Sequence, residues 1–237
     1  MSKKILVVLT SHPHTDDSLG GWFLPELAHP YNVFKKAGYE MTFASPKGGE
    51  APLDSWSIEL SKQGKDSDSL EFLEKNEHVW KNTITLSEFT GKSGEYDAIF
   101  YPGGHGPIFD LAVDEVSQKL ITEFWEAGKD DEKLISHNQV VSAVCHGPGV
   151  FVNIILSNGK YLVLEKRLTG YTNSEEAAID ATDKVPFLLE DVLSAKGALF
   201  QRAGDYEPHV VKDGKLITGQ NPPSAKPLAE AIVEALN

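Results

Sequence analysis

Apolar positions along this chain alternate between short continuous runs and longer stretches at roughly helical spacing. Residues 4–10, KILVVLT, form an unbroken apolar and β-branched run, the pattern of a strand covered on both faces. Residues 22–37 carry apolar side chains at helical spacing, and Gly38 ends them. A second strand is predicted at 40–45, and the strand–helix–strand order calls for a parallel pair with a right-handed crossover. Residues 97–104, DAIFYPGG, read as a buried strand closing on a glycine turn, with a helix over 114–128. Residues 140–155 read as strand, sharp turn and helix. A short strand at 167–172, an amphipathic helix at 186–198, a hairpin at 210–220 and a closing helix at 224–236 follow. Asp213-Gly214 supplies the hairpin turn. The alternation predicts an α/β fold, a doubly wound and mostly parallel sheet sandwiched by helices.

Residues 46–95 break this alternation. They are rich in Gly, Ser, Lys and Asp, with scattered aromatics at Trp56, Phe72 and Trp80. They read as an insertion with short helices, either a cap over the sheet or a plain surface excursion. No repeat or linker divides the rest, so residues 1–237 are expected to be a single domain.

Composition narrows the function. The chain has 237 residues, 41% hydrophobic and 24% charged, which suits one sizeable α/β core. It has no apolar stretch long enough to span a membrane. Its N-terminal apolar run is too short for a secretory core, so a cytoplasmic protein is expected, with the nucleus as alternative. The formal net charge is −13; such a surface repels phosphate backbones, so no nucleic-acid partner is expected. One cysteine excludes an internal disulfide and a multi-cysteine metal site. By default it is a buried small hydrophobe.

The neighbours of that cysteine point elsewhere. Ala143-Val144-Cys145-His146-Gly147-Pro148 takes a buried strand straight into Cys, Gly and Pro, the layout of a nucleophile elbow. A helix beginning there would lower the thiol pKa through its unpaired N–H groups, and His146 could serve as base. Tyr101-Pro102-Gly103-Gly104-His105-Gly106 closes another strand at the same rim of the sheet, where sites form in open α/β folds. Its glycines let backbone N–H groups approach a substrate oxygen, unless the stretch is a simple turn. Glu26 sits within an otherwise apolar helix; it is either solvated or, if turned into the site, held neutral by burial. Ser11-His12-Pro13-His14-Thr15-Asp16-Asp17 resembles a zinc-binding His-Pro-Asp-Asp motif, but its spacing is broken and no third ligand follows. No metal is expected.

Together AVCHGP, YPGGHG, PELAHPYNVF, LTGYT with Glu175-Glu176, and TGQNPPSA resemble the ThiJ/PfpI superfamily, which is class I glutamine amidotransferase-like. More narrowly they resemble its heat-shock-type branch containing glutathione-independent glyoxalase III. The resemblance spans residues 5 to about 225. It implies a flavodoxin-like fold and a catalytic set of Cys145, His146, Glu26 and an acid after LTGYT. Glu176 fits that acid, with the adjacent Glu175 as alternative. Gly103, Gly104 and His105 are implied as oxyanion or substrate contacts, with the His146 backbone also matching a donor. Glutamine amidotransferases place a His-x-Glu late in the chain; His209 is followed here by Val210 and Val211. The implied reaction converts methylglyoxal to lactate through a cysteine hemithioacetal, without a cofactor, in a homodimer. Deglycation of proteins or nucleotides, and a holdase chaperone, are the alternatives.

Overall fold

The structure is a computed structural model, and it describes residues 2–15, 18–127 and 139–237. Asp16, Asp17, His137 and the end of the 114–128 helix lie outside them. Strand β1 (Lys4–Val8) buries Ile5, Leu6, Val7 and Val8, as its unbroken apolar run requires. Helix α1 (Leu24–Lys36) follows, with Pro25 in its first turn and Lys35 and Lys36 in its last; a proline is preformed for a helix start, and lysines suit its C-terminal dipole. Strand β2 is Glu40–Ser45.

The next segment holds α2 (Ser55–Gly64), α3 (Ser67–Lys75) and α4 (Glu77–Lys81), then the two-residue strand β3 (Ile84–Thr85). Asp54 and Asp66 start α2 and α3 by accepting the N–H groups of Trp56 and Ser69, each satisfying a donor that a helix start leaves open. His29, on α1, bonds Asp66 at 2.9 Å and so ties α3 to α1.

Then come β4 (Ala98–Tyr101), the single turn α5 (Gly106–Phe109), α6 (Glu115–Glu126) and β5 (Val140–Val144). Beyond the elbow lie β6 (Arg167–Leu168), α7 (Asn173–Ala178), α8 (Leu189–Ala195) and β7 (Leu199–Phe200). The hairpin of β8 (Val210–Asp213) and β9 (Leu216–Gly219) precedes α9 (Ala225–Leu236).

Seven strands form one sheet in the order β3-β2-β1-β4-β5-β9-β8. Neighbours are parallel except β8, which runs antiparallel to β9. The doubly wound, mostly parallel sheet predicted from the alternation is therefore present. The chain winds outward from β1 to β2, then crosses to β4 on the other side. That reversal opens a crevice at the carboxyl ends of the strands. A separate parallel pair, β6 with β7, stands beside the sheet; the apolar pattern gave no sign of β7.

One local expectation fails. The apolar stretch after Cys145 does not continue as a helix to residue 155. It is a five-residue 3-10 turn over Gly147–Phe151. Pro148 lacks an N–H, and Gly147 and Gly149 favour non-helical backbone. The apolar side chains of Val150, Phe151, Val152 and Ile154 are buried all the same, so their hydrophobicity reflects packing rather than a helix face.

Candidate active site

The end of β5 delivers Cys145 in a left-handed conformation, φ +60°, which a non-glycine residue adopts only under constraint. The constraint is visible. The Cys145 N–H donates to Gly219 O at 3.0 Å, and its carbonyl accepts the Tyr171 N–H at 2.8 Å. The elbow also needs close approach: a Cβ on Gly147 would lie 2.5 Å from Tyr101 O. Gly103 is equally confined, since its Cβ would fall 2.5 Å from Glu26 Oε2 and 2.6 Å from Val144 O.

Two carboxylates flank the cysteine. On one side His146 Nδ1 lies 3.5 Å from Cys145 Sγ, and its Nε2 meets Glu176 Oε2 at 2.6 Å. His105 Nε2 bonds the other oxygen of Glu176 at 3.0 Å. Burial opposes the charge of Glu176, but hydrogen bonds from His105 and His146 outweigh it and hold its carboxyl at about 2. An ionised Glu176 takes the Nε2–H of His146, which leaves Nδ1 as an acceptor facing the thiol. The His146 ring is sandwiched between His105 and Tyr171, with centroids 4.2 and 4.5 Å away.

On the other side stands Glu26, fully buried near the start of α1. Its Oε2 accepts the Gly103 N–H at 2.8 Å, while its Oε1 has no nitrogen or oxygen partner among the described residues. Burial pushes the Glu26 carboxyl up to about 8, against hydrogen bonds from Cys145 and Gly103 that favour its charge. At neutral pH the proton stays on Glu26, and since Oε2 accepts, it belongs on Oε1.

The structure corrects the expected thiol. A helix dipole does not lower its pKa; burial and the neighbouring Glu26 push the Cys145 thiol well up, and the His146 N–H opposes them. The turn after it is too short to sum many peptide dipoles. A protonated Glu26 no longer opposes the thiolate by charge, so the pair holds at most one negative charge.

The glutamate ambiguity resolves by direction. Glu175 faces away from His146: its Oε2 accepts from the N–H and hydroxyl of Thr172 at 3.1 and 2.9 Å. Its Oε1 accepts from Asn221 Nδ2 and the Tyr206 N–H, both at 2.8 Å. Glu175 therefore fastens a loop, and Glu176 faces the histidines. Gly103, expected as an oxyanion contact, spends its N–H on Glu26. Gly104 has φ +81°, and a Cβ there would lie 2.5 Å from Gly21 O and 2.8 Å from Phe23 N. His105 is a second partner of Glu176 and, like Gly104, also lines the cavity over Cys145.

The ligand atoms of His105, His146 and Glu176 lie within 4.8 Å of one another, close enough for a cation. The same atoms make the hydrogen bonds just described, so a metal and the His–Glu relay exclude each other. In the His-rich loop, His12 stacks on Phe109 at 4.6 Å and bonds Ser18 at 3.1 Å, and His14 comes 3.9 Å from Asp54.

Cys145 and His146 form the floor of a cavity of about 350 Å³ whose outer walls include Trp56 on α2 and Tyr206. Neither was singled out from sequence as a site residue, nor was Tyr171. Tyr206 lies in a loop without periodicity, and Trp56 follows an N-cap like any helix opening.

A parallel sheet that presents one strained cysteine at a strand-to-turn elbow, between a His–Glu pair and a neutral carboxyl, defines an α/β protein of the cysteine-elbow class. Within that class the chain belongs to the ThiJ/PfpI family, whose family-like model matches residues 18–219. It is 34% identical to the glutathione-independent glyoxalase hsp3102 of Schizosaccharomyces pombe, over 99% of this chain and 98% of the relative. It is 31% identical to glyoxalase 3 of Candida albicans, over 98% of both chains. The crystal structure of glyoxalase III from Candida albicans superposes with a TM-score of 0.83 at 30% identity, covering 99% of this chain and 98% of that one. No helix among the described residues is long and apolar enough to cross a membrane.

Proposed function

We propose that the protein is a glutathione-independent glyoxalase, converting a 2-oxoaldehyde such as methylglyoxal to the 2-hydroxy acid. The carrying observation is the geometry at Cys145: His146 Nδ1 3.5 Å from its Sγ on one side, and the fully buried carboxyl of Glu26 on the other. Similarity to named glyoxalases over the full chain supports the same reading.

In this reading His146 Nδ1 removes the thiol proton as Sγ bonds the aldehyde carbon. The N–H groups of Gly104 and His146 steady the developing alkoxide, and Glu26 gives it a proton, forming the hemithioacetal. The Glu26 carboxylate then takes the proton from C1 while imidazolium protonates the C2 oxygen, giving an enediol. Glu26 returns its proton to C2, and His146 removes the C1 hydroxyl proton, leaving a thioester. The Glu26 carboxylate takes a proton from water as the water oxygen attacks the thioester. The C–S bond breaks, and the imidazolium of His146 returns its proton to the leaving thiolate, releasing the hydroxy acid and restoring all three groups. Oxidation at C1 balances reduction at C2, so the reaction consumes only water. Helices α2 to α4 serve as the cap, since Trp56 and Leu60 of α2 line the cavity, and the working unit is a homodimer by analogy with the family.

The test is lactate formation from methylglyoxal without glutathione. Activity is expected in the wild type and loss to background in Cys145→Ala. Lactate formation that persists in the alanine protein would remove this reading.

A further inference from the structure

The cavity is larger than methylglyoxal requires. Its volume of about 350 Å³ enters the range of pockets for drug-sized ligands, about 300–1,000 Å³. At about 30 Å³ per heavy atom, the spacing of liquid water, it admits roughly a dozen heavy atoms. That is more than twice the content of methylglyoxal and close to that of an aryl 2-oxoaldehyde. The cavity's polar lining comprises Glu26, His105 and His146 near Cys145, and Ser61 with the mutually bonded His29 and Asp66 along α1 to α3. Phe23, Trp56, Leu60, Ile179, Tyr206 and Pro222 also face the space.

Two of these side chains stand out on the surface. Trp56 is 46% exposed and Tyr206 is 44% exposed, so both rings line the cavity while still reaching solvent. Tyr206 also holds a left-handed backbone, φ +59°, and Glu175 anchors its N–H at 2.8 Å. Strain held in place by a buried carboxylate marks a side chain whose direction matters. Phe23 meets Trp56 edge-on, with centroids 6.2 Å apart. Aromatic walls arranged this way bind a flat apolar group well.

We infer that this chamber receives the substituent of the 2-oxoaldehyde, and that the preferred substrates carry an aromatic or branched apolar group in place of the methyl. The inference rests on the glyoxalase reading of Cys145. The dicarbonyl would lie between His146 and Glu26, and its substituent would displace water from the walls formed by Trp56 and Tyr206. Burying a ring-sized group is worth about tenfold to a hundredfold in kcat/KM.

The experiment compares kcat/KM for phenylglyoxal, followed as mandelate, with that for methylglyoxal. The wild type should favour phenylglyoxal about tenfold or more, and Trp56→Ala and Tyr206→Ala should each cut that ratio by about fivefold. A wild-type ratio of one or less, or a ratio untouched by both substitutions, would overturn the inference. A second measurement removes the chemistry: acetophenone and acetone are titrated into Cys145→Ala while tryptophan fluorescence is followed. Acetophenone should quench at concentrations where acetone does not, and the signal should vanish in Cys145→Ala with Trp56→Phe. Equal responses to the two ketones would overturn the chamber's preference. Selective acetophenone binding without turnover of either dicarbonyl would defeat the reaction and leave the chamber's preference standing.

Discussion

The α1 side and the α7 side of the site each bring a buried carboxylate to the same cysteine–histidine pair, and the two behave oppositely. Glu176 on α7 is met by two imidazoles, and its carboxyl is held at about 2. Glu26 on α1 is met by backbone N–H groups and a thiol, and burial raises it to about 8. Both are less than one-tenth exposed, so burial alone does not set their charge; the kind of donor does, since imidazoles can carry a positive charge and a thiol or backbone N–H cannot. Two residues of one type thereby become a fixed anion and a proton store.

The sharpest way to break this contrast is Glu176→Gln. The amide keeps a carbonyl for one histidine but loses the charge that stabilises imidazolium. Turnover should fall about a thousandfold or more, close to 4 kcal/mol. Steady-state rates within tenfold of wild type would show that the His146–Glu176 bond is merely structural. Glu26→Gln should cost less, about a hundredfold. It keeps shape and a donor toward sulfur, so the covalent adduct should still form and be visible by mass spectrometry. Turnover as fast as the wild type in both Glu26→Gln and Glu26→Ala would return Glu26 to a packing role.

The same carboxyl also leaves a mark on stability. The folded pKa of Glu26 is raised above its ordinary 4.5 to about 8. Between those values the unfolded chain has released a proton that the folded one retains. The stabilisation is complete below pH 4.5 and is lost as pH rises through about 8, at up to about 1.4 kcal/mol per pH unit. Glu26→Gln should flatten this slope in urea titrations run from pH 5 to 8. Identical slopes in the two proteins would mean that Glu26 is already ionised in the fold.

Much of this was legible in the chain. The strand cores, the glycine turn after β4 and the hairpin at Asp213-Gly214 follow from unbroken apolar runs and turn residues. The abrupt change from VVSAV to Cys-His-Gly-Pro marked the elbow. What stayed hidden was direction. Glu175 and Glu176 are neighbours, and only the capping box, in which Glu175 turns back to Thr172, decides which one meets His146. The turn after Cys145 passed for a helix because Val150, Phe151, Val152 and Ile154 are apolar for tertiary reasons. The cavity walls were invisible because Trp56 and Tyr206 are brought together by packing across 150 residues of chain.

The hydrogen bond from Cys145 to Gly219 also dates the site within the life of the molecule. Strand β9 lies between β5 and β8, so the elbow's backbone has no partner there until the chain has been made past residue 219. At about 5–20 residues per second, the ribosome exposes the cysteine several seconds before that strand exists. During this interval the thiol belongs to an unfinished sheet edge, without the bond that holds it in its strained geometry. Assembly of the reactive arrangement is thus a late event of synthesis, and a nascent chain interrupted before β9 carries the nucleophile without the elbow that positions it.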